Sequence, residues 1–389
     1  MCGRWLGLAL LLAAGCAAGQ TVAKGWDHFY NLEYREAIQV FEQALAASPQ
    51  APENHNYLAQ AILYQELYRL GALESELLTG NDHFTRTEKL RPDAAEEARF
   101  RASVSKAMDL AQARLGADPN DPDALYALGS SYALRTNYEF LVQKAWRQAV
   151  RDGSEARKRH NRVVKLNPQH YDARLSQGVY DYVIGSLPWH ARLLSFLSGH
   201  SGDKNRGIET ILLVAGKGAR NRVDAQVMLA VIYRREKQPA WAIRVLDPLI
   251  AAYPRNYLFR LEKAHMYSDL GKKQEAVECL REVERLALSG NAAYARIPLE
   301  KVYYELGNVQ FWYNELDAAL ENLRRVTQRP NPGLHTGALA WMRQGQILDL
   351  TGQRAEAQEA YRRAIQFAPR TAAAAECRRY LSSPYKRKA

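Results

Sequence analysis

Residues 199–203 read Gly-His-Ser-Gly-Asp and come nearest in this sequence to a catalytic motif. The pattern resembles the Gly-x-Ser-x-Gly turn that exposes a nucleophilic serine between a strand and a helix. Asp203 replaces the final glycine, and no alternating strand pattern precedes the turn. We therefore predict no nucleophile here. Residues 216–218, Gly-Lys-Gly, are too short for a phosphate-binding loop and indicate the end of a helix.

Metal chemistry has as little support. The nine histidines are scattered, and neither His-Glu-x-x-His nor Cys-x2-Cys occurs. Cys279 and Cys377 are far apart, so we predict free thiols that pack as small hydrophobic side chains. A shared site of His83, His190 and His200 stays open, although their spacing supports no metal. We predict that the chain needs no cofactor.

The strongest pattern in the chain is a repeat of small and large residues. Its clearest copy reads Trp341-x3-Gly345, Ala357-x3-Tyr361-x2-Ala364-x4-Pro369. Small residues let two helices approach closely, and Gly352 between them permits the positive φ that ends a helix. Weaker copies recur in phase, since Ala242 and Ala276 lie 34 residues apart.

These copies resemble the tetratricopeptide repeat (TPR), a helix–turn–helix unit of roughly 34 residues. The resemblance implies an all-α, right-handed TPR-type solenoid with inserted helices and a C-terminal capping helix. It also implies a concave groove, lined by the first helix of each repeat, that binds a protein or peptide. Spacing places the groove-lining side chains at Tyr126, Ser130, Arg234, His265, Tyr304, Asn308, Phe311, Met342 and Gln346.

Two of these groove residues leave an alternative open. Tyr304 and Phe311 line an aromatic groove for an extended or helical segment, or they pack against an adjacent helix. Some TPR proteins hold a peptide's terminal carboxylate with a lysine and an asparagine one turn apart. Tyr304 stands where that lysine would precede Asn308, so the pattern disfavours such a clamp.

Regular and irregular repeats divide the chain. We predict a leader at 1–19, divergent repeats at 20–221, regular repeats at 223–371, and a capping helix with a basic tail without fixed structure at 371–389. Insertions interrupt the divergent part at about 71–97, 135–152 and 185–204, and the second is expected to form an extra helix. Insertions in repeat proteins often lie on the binding face. Residues 185–204 resemble the Ser-Leu-Pro … Gly-x-x-Gly-Asp-Arg region of Iml2/TTC39-type TPR proteins.

The first 19 residues have the features of a secretory leader. Arg4 precedes an apolar run, and small residues follow it. Cleavage before Gln20 suits ordinary signal peptidase, whereas residues 12–16, Leu-Ala-Ala-Gly-Cys, resemble a bacterial lipobox in which Cys16 is lipidated. We expect an exported protein, either periplasmic or a lipoprotein anchored in the outer membrane.

The net charge of +11 raises the question of acidic partners. The basic residues are dispersed, and the densest run, at 157–159, falls on a predicted helix. No RNA-binding aromatic signature accompanies it, so we expect no nucleic acid.

The sequence favours a non-catalytic scaffold that binds a protein or peptide in the bacterial cell envelope. One alternative is an enzyme or small-ligand-binding protein whose pocket is built from the 71–97 and 185–204 insertions. Another is an intracellular TTC39-like adaptor that retains its leader.

Overall fold

Helix pairs follow one another along the chain, as the repeat pattern predicts. The computed structural model describes residues 19–73, 89–189 and 201–387. Within these ranges every regular element is a helix, and none is a strand. The all-α class is therefore confirmed, together with the helical repeats.

The chain forms two compact units, Met1–Asn256 (unit 1) and Tyr257–Ala389 (unit 2). The helices of unit 1 are α1 (19–30), α2 (Tyr34–Ala47), α3 (Pro52–Arg69), α4 (Ala94–Ala117), α5 (Pro122–Leu141), α6 (Trp146–Leu166), α7 (Leu175–Gly185), α8 (Lys204–Lys217), α9 (Arg222–Arg235) and α10 (Pro239–Ala252), with a 3₁₀ turn (Tyr171–Arg174) before α7. The helices of unit 2 are α11 (Tyr257–Asp269), α12 (Lys273–Leu288), α13 (Leu299–Trp312), α14 (Leu316–Thr327), α15 (Leu334–Leu350), α16 (Arg354–Phe367) and α17 (Ala372–Ser382), with a 3₁₀ turn (Ala292–Tyr294) before α13.

Local sequence signals set the helix ends. Asp121 accepts hydrogen bonds from two backbone amides in the first turn of α5, and Pro122 occupies that turn. These are the preferred residues for a helix start. Gly352, two residues after the end of α15, has a φ of 82°, so the predicted glycine stop is confirmed.

The small residues of the motif allow close packing within a pair. A Cβ on Gly345 would lie 2.4 Å from the ring of Tyr361, which is fully buried. Gly25 and Phe41 repeat this arrangement in the first pair, at 2.5 Å. Each large ring thus fills the space that a missing side chain leaves on the partner helix.

The second insertion contains no separate helix. Residues 137–141 continue α5, and α6 begins at Trp146 after a short turn. No breaker interrupts the stretch, and Tyr138 is buried by the first repeats, so the helix simply runs longer. In the third insertion, Trp189 is 74% exposed. Residues 190–200 lie outside the described part.

The first and last pairs of unit 1 contact each other. The Tyr30 hydroxyl donates to Asp224 at 3.0 Å, and Asn256 Nδ2 donates to the Tyr30 carbonyl at 2.8 Å. Arg255 Nε donates to Glu33 at 2.7 Å. These bonds place α9 and α10 in unit 1, whereas repeat regularity placed the division at 221–223.

Helix α17 covers the last repeat, as predicted for a capping helix. Its buried residues are Ala373, Ala374 and Cys377. Ala373 and Cys377 belong to the same apolar cluster as Tyr361. Cys279 and Cys377 are both free thiols. Among the described helices, none has the length and apolar character needed to cross a bilayer.

Candidate functional site

Helices α11, α13 and α15 are the first helices of consecutive pairs in unit 2. They carry six of the nine predicted groove residues. His265 on α11 lies 2.9 Å from Glu305 on α13, between Nε2 and Oε2, and its Nδ1 lies 3.7 Å from Glu262. Glu305 is only 3% exposed, so this bond satisfies a buried carboxylate and ties the two helices together.

Arg343 on α15 brings three of the predicted residues together. Its Nη2 donates to Asn308 Oδ1 at 2.9 Å, and its Nη1 donates to Gln346 Oε1 at 2.7 Å. The guanidinium also lies 4.3 Å from the ring centroid of Phe311. Arg343 was not among the predicted groove residues, although it lies one helical turn before Gln346 and therefore on the same face.

The side chains of the remaining predicted groove residues in unit 2 are less exposed. Phe311 has no exposed surface and Met342 is 9% exposed, so both act mainly in packing. Tyr304 is half-buried. For Phe311 the structure thus favours the packing alternative, although its ring still forms the floor beneath Arg343.

The C-terminal segment after α17 returns to this surface. The Tyr385 amide donates to Asp349 Oδ2 at 2.7 Å, and the Arg387 guanidinium lies 4.8 Å from the ring centroid of Phe311. Arg387 also donates to the Phe311 carbonyl. The prediction of a tail without fixed structure is therefore wrong as far as Arg387.

Asp349 connects the tail with the last repeat. Its buried carboxylate accepts from Arg354 Nη1 at 2.9 Å, the Tyr361 hydroxyl at 2.8 Å and the Tyr385 amide at 2.7 Å. Burial, reinforced by the neighbouring carboxylate, raises the pKa of Tyr361 strongly. A buried charge needs such a set of donors, so the tail completes a network that the repeat begins.

The other predicted groove residues, Tyr126, Ser130 and Arg234, lie in unit 1. Tyr126 is buried, and its ring stacks on His160 with centroids 5.1 Å apart. Asn221 Nδ2 donates to the Tyr126 hydroxyl at 3.1 Å, and burial raises the pKa of Tyr126 strongly. Tyr126 is therefore a core residue, while Ser130 and Arg234 are half-buried.

A surface rich in tyrosine lies next to Tyr126 in unit 1. The guanidinium of Arg220 lies 5.8 Å from the ring centroid of Tyr57, and burial raises the pKa of Tyr57 to about 12. Asp172 Oδ1 accepts from the backbone amides of Arg220 at 3.1 Å and Asn221 at 2.9 Å, and so caps the start of α9. Sequence reasoning missed this surface because its residues come from four separate helices or turns.

Asp224 is the most perturbed carboxyl of this surface. Burial raises its pKa to about 6, which the hydrogen bond from Tyr30 only partly offsets. No metal site accompanies it, since the described residues contain no group of three or more His, Cys, Asp and Glu side chains placed to hold a metal ion.

The motif at 199–203 has a structural role where it is described. Asp203 caps α8 by accepting from the Arg206 amide at 2.8 Å. A Cβ on Gly202 would lie 2.7 Å from Ile184, so glycine permits close approach of the chain to α7. His83, His190 and His200 lie outside the described residues, as does most of the pocket suggested for the 71–97 and 185–204 insertions.

Comparison with protein families agrees with this repeat architecture. Family models described as tetratricopeptide repeat match residues 22–75, 259–289 and 338–371. A comparison with curated proteins found no match.

Several solved structures of repeat proteins are similar to this chain. A TPR protein of Thermus thermophilus is 14% identical, with a TM-score of 0.34, over 64% of this chain and 98% of its own. A tetratricopeptide repeat protein of Parabacteroides merdae is 13% identical, with a TM-score of 0.33, over 83% and 97%. Yeast Tom70 is 12% identical, with a TM-score of 0.40, over 95% and 96%.

Proposed function

We propose that this tetratricopeptide-repeat protein is a non-catalytic scaffold of the bacterial cell envelope, and that unit 2 binds a segment of another protein. TPR repeats indicate protein–protein interaction as the general role. The proposal that unit 2 binds a protein segment rests on the surface formed by α11, α13 and α15, which we call the row. There Arg343 joins Asn308 and Gln346, and His265 joins Glu305.

This row has the composition of a recognition surface. Part-buried hydrogen bonds within and between the helices hold the polar side chains in place, so binding a segment costs little side-chain entropy. Aromatic rings and an arginine supply the contacts that dominate protein interfaces. The polar groups have partners within the protein, so they present a fixed pattern to a bound segment.

We also propose that the protein is exported and anchored through Cys16, in the periplasm or at the outer membrane. Support comes from the leader at 1–19 and from the lipobox-like residues 12–16. The anchor would sit three residues before α1, the helix whose Tyr30 bonds to Asp224. Unit 1 would then lie close to the membrane surface.

Site-specific photo-crosslinking tests the scaffold. A benzophenone amino acid replaces Tyr304 on α13 in the protein made with its own leader in a bacterial host, and Leu288 is the control position. Leu288 is 60% exposed and ends α12, the second helix of its pair. We expect one envelope protein to crosslink at position 304 and not at 288. Equal crosslinking at both positions, or none at 304, would count against the proposal.

Intact mass of the same protein tests the anchor. Lipidated Cys16 gives a chain that begins at residue 16 with added acyl mass and fractionates with membranes. A Cys16→Ala variant is expected to release the protein into the soluble fraction. A wild-type chain that begins at Gln20, or that keeps residues 1–19, would refute the lipid anchor.

A further inference from the structure

The C-terminal segment Ser383–Arg387 lies against the proposed binding row of unit 2. Tyr385 contacts Asp349 through its amide, and its ring centroid is 6.1 Å from that of Phe311. Phe311 and Asp349 follow Asn308 and Gln346 by three residues, which places them one turn further along the same helix faces.

The tail contacts the row through two residues, Tyr385 and Arg387, that lie two positions apart. Tyr385 and Arg387 are half-buried, whereas Lys386 between them is exposed. This alternation is typical of an extended segment. The tail thus touches the row as a bound peptide would, through an aromatic ring and, two residues later, a guanidinium.

Two arginines share the ring of Phe311. Arg343 lies 4.3 Å and Arg387 4.8 Å from its centroid. Arg343 is held by Asn308 and Gln346, so it belongs to the row itself. Arg387 comes from the tail and also donates to the Phe311 carbonyl at the end of α13, where the helix dipole favours a cation. A planar cation that also donates hydrogen bonds suits this place.

We propose that the tail occupies the place of the partner, and that the partner displaces it with a segment of the same chemistry. That segment is extended and carries an aromatic residue followed two positions later by arginine. This inference rests on the proposed function of unit 2. It adds the kind of partner and an internal competitor that keeps the Phe311 end of the row covered until the partner arrives.

The competitor acts through its tether. A segment joined to its site by a short linker has an effective concentration of about 1 mM. A free copy of the tail must therefore bind the intact chain much more weakly than a chain that lacks the tail. Cutting after Ser382 keeps α17 attached, since Arg354 Nη2 still donates to the carbonyls of Tyr380 and Leu381 at 2.8 Å.

The test is fluorescence anisotropy with a labelled peptide of residues 380–389. We expect the chain that ends at Ser382 to bind it at least about tenfold more tightly than the intact chain does, given the tether. A full-length Tyr385→Ala/Arg387→Ala variant, which keeps every other residue, is expected to bind like the shortened chain. Far-UV circular dichroism checks that all three proteins keep their helices.

Peptide variants test the chemistry. Arg387→Ala in the peptide removes the cation over Phe311 and its hydrogen bond, so we expect affinity to fall about tenfold. Lys386→Ala removes an equal charge from an exposed position and is the matched control, expected to leave affinity within about twofold apart from general charge effects. Equal losses from both substitutions would overturn the proposal, as would equal binding of the peptide to the intact and shortened chains.

The two proposals can fail separately. If the peptide binds as expected but position 304 crosslinks to nothing, the tail covers a surface that is not used for an envelope partner. If position 304 crosslinks a partner whose yield is unchanged by removing residues 383–389, the scaffold stands and the tail is not its competitor.

Discussion

The buried His160 makes the stability of unit 1 sensitive to acid. Its Nε2 lies 3.1 Å from the Tyr126 carbonyl, and its Nδ1 lies 2.8 Å from the Ser176 hydroxyl. A carbonyl only accepts, so Nε2 carries the proton and Nδ1 accepts from Ser176 in the neutral ring. Burial lowers the pKa of His160 from 6.5 to about 4. The folded protein therefore keeps this ring neutral at a pH where the unfolded chain protonates it.

The size of the effect follows from proton linkage. Because the pKa of His160 is lower in the folded protein, the free energy of unfolding is highest above pH 6.5 and decreases as the pH falls towards 4. Between pH 7 and pH 5 the loss is about 2 kcal/mol. His160→Leu removes the titration, and leucine stands at the equivalent position of other repeats, for example Leu246 in α10 and Leu280 in α12.

Urea denaturation of wild type and His160→Leu at a series of pH values measures this difference. Amide exchange of peptides from α5 and α6 assigns the transition to unit 1. The variant loses two hydrogen bonds and starts less stable at pH 7, so only the change with pH is compared. We expect wild type to lose about 2 kcal/mol more than the variant between pH 7 and 5. Parallel curves would show that His160 is not held neutral by burial, and the reasoning would be wrong.

Three further outcomes are expected. The pKa of Asp224 is raised to about 6, so the stability that this carboxyl contributes is present below pH 4 and is lost as the pH rises through 6. In the same urea series, Asp224→Asn should remove this loss of stability. The loss is at most about 3 kcal/mol, because Asp224 keeps some exposure. Gly345→Ala should lower the free energy of unfolding by about 1–3 kcal/mol, because the added methyl group overpacks the helix pair. Gly116→Ala places its methyl group in open space on α4 and should raise the free energy of unfolding by up to about 1 kcal/mol. Arg255→Ala should take the guanidinium away from Glu33, which keeps its bond to His28, and should speed amide exchange in α1 and α2 before the rest of unit 1.

His160 and Asp224 act in opposite directions between pH 5 and 7. Acid destabilises the protein through His160 and stabilises it through Asp224. Wild type should therefore show a flatter pH profile than either single variant. A flat wild-type curve would therefore reflect two opposing titrations, and the curves of the two single variants would reveal each of them.

The recurring motif was enough to predict the helix pairs. Gly345, Tyr361 and Gly352 each act between two helices that are neighbours in sequence, so their spacing carries the packing directly. The place of Asn308 and Gln346 in a binding groove stays a prediction, although both side chains hydrogen-bond to Arg343. The prediction failed to separate a groove position from a core position at Tyr126, whose burial depends on helices distant in sequence.

By itself, then, the sequence determined the all-α class and the pairing of adjacent helices. Only the tertiary structure decided that Tyr30 meets Asp224, 194 residues away, and that Arg387 returns to Phe311, 76 residues back. Contacts within a repeat follow from local periodicity. Contacts between distant repeats depend on the summed rotations of all the helices between them, which no motif in the sequence records.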